Sequence, residues 1–168
     1  SYSLDELKLI VETARSSGRP VVAHASTPEA MRRATLAGIE TIEHGDDGTP
    51  EVFRLMAEHG VAFCPTIAAG DAILQYSGWK KGVDPEPDRV RRKRASVKAA
   101  LEAGVRMIFG GDVGVFAHGE NVRELELMVE YGMPVIDAVR AATSGNAAVI
   151  HVDDRVGSVK PGLLADLI

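Results

Sequence analysis

One cysteine, Cys64, is all the chain has in 168 residues, which excludes an internal disulfide framework and any cysteine-built zinc site. It stands in the apolar run "VAFCPT" and reads as a buried, inert thiol. No stretch approaches the roughly 18 apolar residues of a membrane helix. The first residues carry no signal-like apolar run, so a cytoplasmic protein with no membrane partner is expected. Basic charge is scarce as well: 19 Lys and Arg face 24 Asp and Glu, a net charge of −5. That balance argues against nucleic acid or an anionic membrane as partner. The one basic run, Arg89 to Arg94, falls in a helical pattern and reads as a solvated helix face. A glycine-rich phosphate fingerprint is also missing, since "FGGDVG" lacks the G-x-G-x-x-G spacing.

What is present is 45% hydrophobic and 26% charged, ordinary for one globular domain with a real core. The first helix is well marked. Ser3 can cap it, Glu6 can reach back as the capping-box partner, and Leu4, Leu7, Ile10, Val11 and Ala14 share a face. Thr27–Pro28 and Thr49–Pro50 open two more helices, with a threonine oxygen as cap and proline in the first turn. A longer helix is expected from Asp88 to about Ala103. Gly18, Gly38, Gly60 and Gly104 close these helices, and a short apolar run follows each: "RPVVAH", "IETIEH", "VAFCPT" and "VRMIFG". This is an internal repeat of helix, glycine, strand and turn. It predicts four parallel βα units with strands near 20–24, 39–43, 61–65 and 105–109.

The remainder is less regular. Residues 67 to 87 hold several glycines and prolines and the only tryptophan, Trp79, and read as a long loop that could serve as a lid. Helices are expected near 120–131 and 134–143, then a short one into "AAVIH". The last residues, "GSVKPGLLADLI", read as a turn and the first part of a strand.

In the repeat, His24 and His44 both fall at the carboxyl end of a strand, the edge where ligands and catalytic groups gather in α/β folds. Asp112 lies two residues beyond the same level in the fourth unit, after Gly110 and Gly111. Imidazole and carboxylate are the usual ligands of a catalytic zinc-type ion. Taken singly, each residue has a plainer reading, as a hydrogen-bonded strand-end histidine or a capping aspartate; together they make a candidate metal rim. His118, in "FAHGEN", is either a substrate contact or a helix-opening residue. His59, at a helix C-terminus, and His151, outside the repeat, read as structural.

These segments together, "VVAHASTPEAMRRATLAGIETIEHG", "VAFCPT", "AGVRMIFGGDVG", "AATSGNAAVI" and "GSVKPGLLADLI", resemble the amidohydrolase superfamily. More narrowly they resemble its imidazolonepropionase-like and Xaa-Pro dipeptidase-like metal-dependent hydrolases. The resemblance implies that residues 1–160 are the second, C-terminal half of a (β/α)8 TIM barrel, and that 161–168 begin a strand returning to a small β-sandwich. It implies metal ligation by His24 and His44, and by Asp112, which would also handle the catalytic proton. Ser26 stands where dipeptidase-like relatives often carry a substrate-contacting tyrosine, and with His118 it is the candidate substrate contact. The family's His-x-His pair and bridging lysine are not in this sequence, and strand eight reads "GGD" where "GTD" is commoner.

The implied activity is hydrolysis of a carbon–nitrogen bond in a small amide, lactam or dipeptide by a metal-bound hydroxide. The cofactor would be a divalent metal, zinc, binuclear in a full-length enzyme and weakly held or absent in this chain, which is expected to be inactive alone. The partner would be the N-terminal half of the barrel; alternatively, open sheet edges would let the chain pair with itself as a homo-oligomer. The rival reading is a non-catalytic α/β ligand-binding domain with structural histidines.

Overall fold

Each of the four stop glycines ends its helix in the same way. In the computed structural model, which describes residues 2–166, the N–H of the next residue bonds back across the helix end. Arg19 donates to the Ala14 carbonyl, Ile39 to Ala34, Val61 to Met56 and Val105 to Ala100, at 2.9–3.2 Å. This is the six-to-one bond of a Schellman turn, with glycine in the left-handed position that other residues resist.

The helix starts follow the sequence signals as closely. Helix α1 is Leu4–Ser16, where the Ser3 hydroxyl accepts from the Glu6 N–H and the Glu6 carboxylate accepts from the Ser3 N–H. Helices α2 (Pro28–Ala37) and α3 (Pro50–Glu58) begin on Thr27 and Thr49, whose hydroxyls accept from the N–H groups of Ala30 and Val52. Between them run β1 (Val22–Ala25), β2 (Thr41–His44) and β3 (Ala62–Cys64), a parallel sheet in the order β1-β2-β3. The first two strands start two residues later than their apolar runs, because the turn that closes each helix takes up the first residues of the run. The register sets His24 beside Glu43 and Ala25 beside His44. The chain is therefore α/β with a parallel sheet.

The fourth strand is much shorter than the run at 105–109 suggests. It is one parallel bridge between Phe63 and Met107, with the Phe63 N–H on the Arg106 carbonyl and the Ile108 N–H on the Phe63 carbonyl. On its far side no strand is paired among the described residues. There the Asn146 side chain serves the main chain of Phe109, accepting from its N–H at 2.9 Å and donating to its carbonyl at 2.8 Å.

A second correction concerns the stretch expected as a loop from 67 to 87. Its first part is a helix, α4 (Ile67–Tyr76), with Ile67, Ala68, Ala69 and Ala72 buried; only 77–87 is irregular, tied by the Trp79 indole to the Pro85 carbonyl and the Lys80 N–H to Asp84. Helices α5 (Asp88–Glu102), α6 (Arg123–Glu130), α7 (Val135–Arg140) and α8 (Asn146–Val149) follow, with a π turn at Ala141–Gly145. Residues 161–166 form a turn and irregular chain rather than the expected strand, and Leu167 and Ile168 lie outside the described residues. No helix among the described residues is long and apolar enough to cross a membrane.

The core lies between the sheet and the helices. Met31 from α2, Ile42 from β2, Phe53 and Met56 from α3, and Phe63 from β3 are all fully buried. The rings of Phe53 and Phe63 meet at 5.0 Å, tilted by 54°. On β1, the residues of alternate parity, Val22 and His24, are exposed.

Candidate active site

Strand alternation alone sends His44 the wrong way. In β2, Thr41 and Glu43 share one face, their side chains joined at 2.8 Å, while Ile42 enters the core. His44 has the parity of Ile42. It does not follow Ile42, because its backbone turns left-handed, with φ of 74°. The imidazole comes round to the ring of His24, with centroids 4.1 Å apart and planes tilted by 58°.

Left-handed backbone is uncommon for a residue with a side chain and costs of order 1–3 kcal/mol. Among the described residues, four non-glycine positions adopt it: His44, Thr66, Asp112 and His151. The first three stand at or just beyond the carboxyl ends of β2, β3 and the Met107 segment. Strain of this kind, repeated along one rim, marks a place where side-chain direction matters more than local stability.

The imidazole is then fixed. His44 Nδ1 lies 2.7 Å from the Thr66 hydroxyl. With Nδ1 donating to that oxygen, Nε2 carries the lone pair, as a metal ligand requires. Burial lowers the His44 pKa below the ordinary value of 6.5, and the neighbouring His24 and the Lys93 ammonium lower it further, with Asp112 and Asp46 pulling the other way. The ring is therefore neutral at pH 7. The turn itself needs Gly45, since a Cβ there would lie 2.5 Å from the Phe63 ring.

Asp112 is exposed and reaches His44 through space rather than by a hydrogen bond. The chain leading to it passes close to Cys64; a Cβ on Gly110 would meet that sulfur at 2.7 Å. Burial raises the Cys64 thiol far above its ordinary range, in keeping with an inert group. The structure thus brings His24 and His44 together and leaves Asp112 at the edge. Among the described residues, no group of three or more His, Cys, Asp or Glu side chains converges as a metal site.

His118 is exposed in a turn well before α6, which starts at Arg123, so it does not open that helix. Ser26 is half-buried and contributes its carbonyl to the Asp47 N–H at 3.0 Å. His59 bonds the Leu55 carbonyl at 3.0 Å, and His151 pairs with Glu40 at 2.8 Å; both are structural contacts.

The basic run of α5 is more than a solvated face. Lys93 is 6% exposed and pairs with Asp46 at 2.6 Å, Arg89 lies 3.5 Å from Asp46, and Arg92 lies 2.9 Å from Asp47. These partners follow His44 directly, so the run braces the turn. Arg94 instead stacks over the Tyr131 ring at 4.1 Å.

Glu124 is the other residue the sequence did not single out. It is fully buried on α6, and its carboxylate accepts from the N–H groups of Ile67 and Ala68 at 2.9 and 2.6 Å, just after Thr66. Its signal was a glutamate on the same helical stripe as Leu127 and Met128. Burial raises its pKa from 4.5 to about 7, against the pull of the Ala68 and Ile67 donors and Lys93. The folded chain therefore keeps a proton that the unfolded chain has lost, and this contribution to stability fades as pH rises from 4.5 through about 7. The lowered His44 works in the opposite sense just below 6.5. Urea midpoints should accordingly fall less between pH 5 and pH 8 in Glu124→Gln than in the wild type; equal slopes would contradict the assignment.

A sequence model described as the amidohydrolase family matches residues 1–168. Ochratoxinase of Aspergillus niger is 29% identical over 178 aligned residues, covering 99% of this chain and 35% of that protein. An uncharacterized protein of Mycobacterium tuberculosis is 34% identical over 149 residues, covering 84% of this chain and 40% of its own length. Among solved structures, a Xaa-Pro dipeptidase with methionine bound in its active site superposes with a TM-score of 0.86 at 36% identity, over 98% of this chain and 42% of that one. A prolidase complexed with N-methylphosphonate-L-proline superposes with a TM-score of 0.82 at 30% identity, over 99% and 41%. The chain thus spans about two fifths of the length of the relatives it matches.

Proposed function

The chain belongs to the amidohydrolase family, and on that premise we propose that it supplies the C-terminal half of a (β/α)8 barrel that hydrolyses carbon–nitrogen bonds with a divalent metal, zinc. The relatives named as Xaa-Pro dipeptidase and prolidase favour a small peptide or amide as substrate. The observation that carries the reading is the strained turn that swings His44 onto His24. A non-catalytic domain with structural histidines would gain nothing by paying for that backbone, since an untwisted strand end costs less.

The donor chemistry fits a metal. Two imidazoles sit ring to ring, one held neutral with Nδ1 engaged by Thr66. His24 and His44 would hold one ion, and Asp112 would contribute to a second. A divalent ion held there would supply Lewis acidity towards the substrate carbonyl and the attacking water. Asp112 takes the proton from the attacking water and delivers it to the leaving nitrogen, base and then acid. Its exposure leaves it free to reach substrate. Ser26 and His118 would be the substrate-facing positions.

Catalytic zinc takes three protein ligands as a rule. Two histidines do not complete a site, so the 168-residue chain by itself is proposed to hold zinc weakly and to be inactive. The active form is the assembled enzyme, this chain together with the complementary half of the barrel. Zinc content separates the readings. In the assembled enzyme, His24→Ala and His44→Ala should each lower bound zinc well below the wild-type stoichiometry. Unchanged zinc in both variants would contradict the site.

A further inference from the structure

Lys93 is a buried cation to which the proposed mechanism gives no task. Its ammonium donates to the main-chain carbonyl of His44 and to Asp46 Oδ1, the latter at 2.6 Å. We propose that Lys93 is the positioning residue for His44: it holds the His44 carbonyl in the left-handed turn and thereby aims the imidazole at His24. This rests on the reading of His44 as a ligand.

With an ordinary extended backbone, the His44 side chain follows Ile42 into the helix layer and its carbonyl stays in the direction of the sheet. The left-handed φ reverses both. The imidazole crosses to the face of His24, and the carbonyl turns away from the ladder towards α5. A carbonyl so turned needs a donor, because a buried carbonyl left unpaired loses its hydrogen bond to water without replacement. Lys93 is that donor.

Three features make the ammonium specific. First, it also binds Asp46, two residues on, so one cation grips the chain on both sides of Gly45. Second, Lys93 is buried and closely paired with Asp46 at 2.6 Å, and Arg89 also approaches Asp46 at 3.5 Å, so the ammonium sits where its counter-charge holds it. Third, the donor comes from the middle of a 15-residue helix packed on α3, a rigid platform rather than a loop. One helical turn further on, Ser96 Oγ donates to the Gly45 carbonyl at 2.5 Å. That bond fixes the following peptide and provides the control.

The test uses the full chain labelled with 15N- and 13C-histidine, without metal. In the wild type, a nuclear Overhauser contact should join the His24 and His44 rings, and the His44 Nδ1 resonance should report its bond to Thr66. Lys93→Met keeps the stem and removes the donor; it should abolish the ring contact and shift the Nδ1 signal. Because Lys93→Met strands the Asp46 charge, the Lys93→Met/Asp46→Asn double variant is measured beside it. Ser96→Ala should keep the ring contact. Zn2+ alone, titrated into the same samples, should bind at least tenfold more weakly in both Lys93 variants than in the wild type. A folded double variant that keeps the ring contact overturns the proposal. So does a Ser96→Ala chain that loses the contact as completely as the Lys93 variants, since packing of the turn would then set the direction. A wild-type chain with the ring contact but no zinc uptake would contradict the weak binding proposed for this chain alone and leave the positioning result standing on the spectra.

Discussion

Asp112→Asn in the assembled enzyme is expected to lower turnover of its amide or dipeptide substrate by about 10²–10⁴-fold, the usual worth of a positioned general acid–base. The fold should be untouched. Asp112 sits at φ of 59°, a conformation asparagine adopts as readily as aspartate, and the residue is exposed, so neither strain nor packing changes. The amide keeps the shape and loses the ability to take a proton. Steady-state kinetics beside a circular-dichroism melt check this directly. A variant as fast as the wild type would remove Asp112 from the chemistry.

Gly45→Ala should have the largest effect on stability, a loss of about 2–5 kcal/mol by urea denaturation. Two costs add. A non-glycine residue in left-handed backbone costs about 1–2 kcal/mol, and Gly45 has φ of 56°. The new methyl would also lie 2.5 Å from the Phe63 ring, and overpacking of a filled core costs about 1–3 kcal/mol. Gly60→Ala isolates the first cost, because Gly60 is equally left-handed, with φ of 69°, but has nothing within 4 Å of a Cβ. It should lose only about 1–2 kcal/mol. Equal losses at the two sites would mean that Phe63 yields and the His44 turn is not rigidly packed.

The periodic part of this molecule was legible in the sequence because its signals are local. Thr-Pro starts, the Ser3 capping box and the stop glycines each act within one turn of chain, and the structure repeats the same helix-closing bond after all four glycines. What depends on distant partners was not legible. Ile67–Tyr76 looked like loop because Gly70 and Gly78 punctuate the stretch, yet its apolar face is buried. The Arg89–Arg94 run looked solvated because charge alone does not reveal that Asp46 and Asp47 face it across the fold. The apolar run at 105–109 promised a full strand, but among the described residues it forms one bridge and no neighbour pairs on its far side.

The candidate site divides along the same line. His24 and His44 were visible as ligand-type residues at strand ends. The direction of His44 was not, since alternation along β2 points it into the core and only the left-handed turn reverses it. Thr66 occupies the corresponding place after Gly60, so the repeat located it without disclosing its bond to His44.

Metal dependence of the assembled enzyme is the most direct measure of the account. Hydrolysis of a panel of dipeptides and lactams is followed before chelation, after chelation and exhaustive removal of the chelator, and after one stepwise return of zinc. Activity should fall to background with the metal removed and recover in proportion to the zinc restored, with no recovery when His44→Ala replaces the wild type. Full activity in the metal-free enzyme would contradict it.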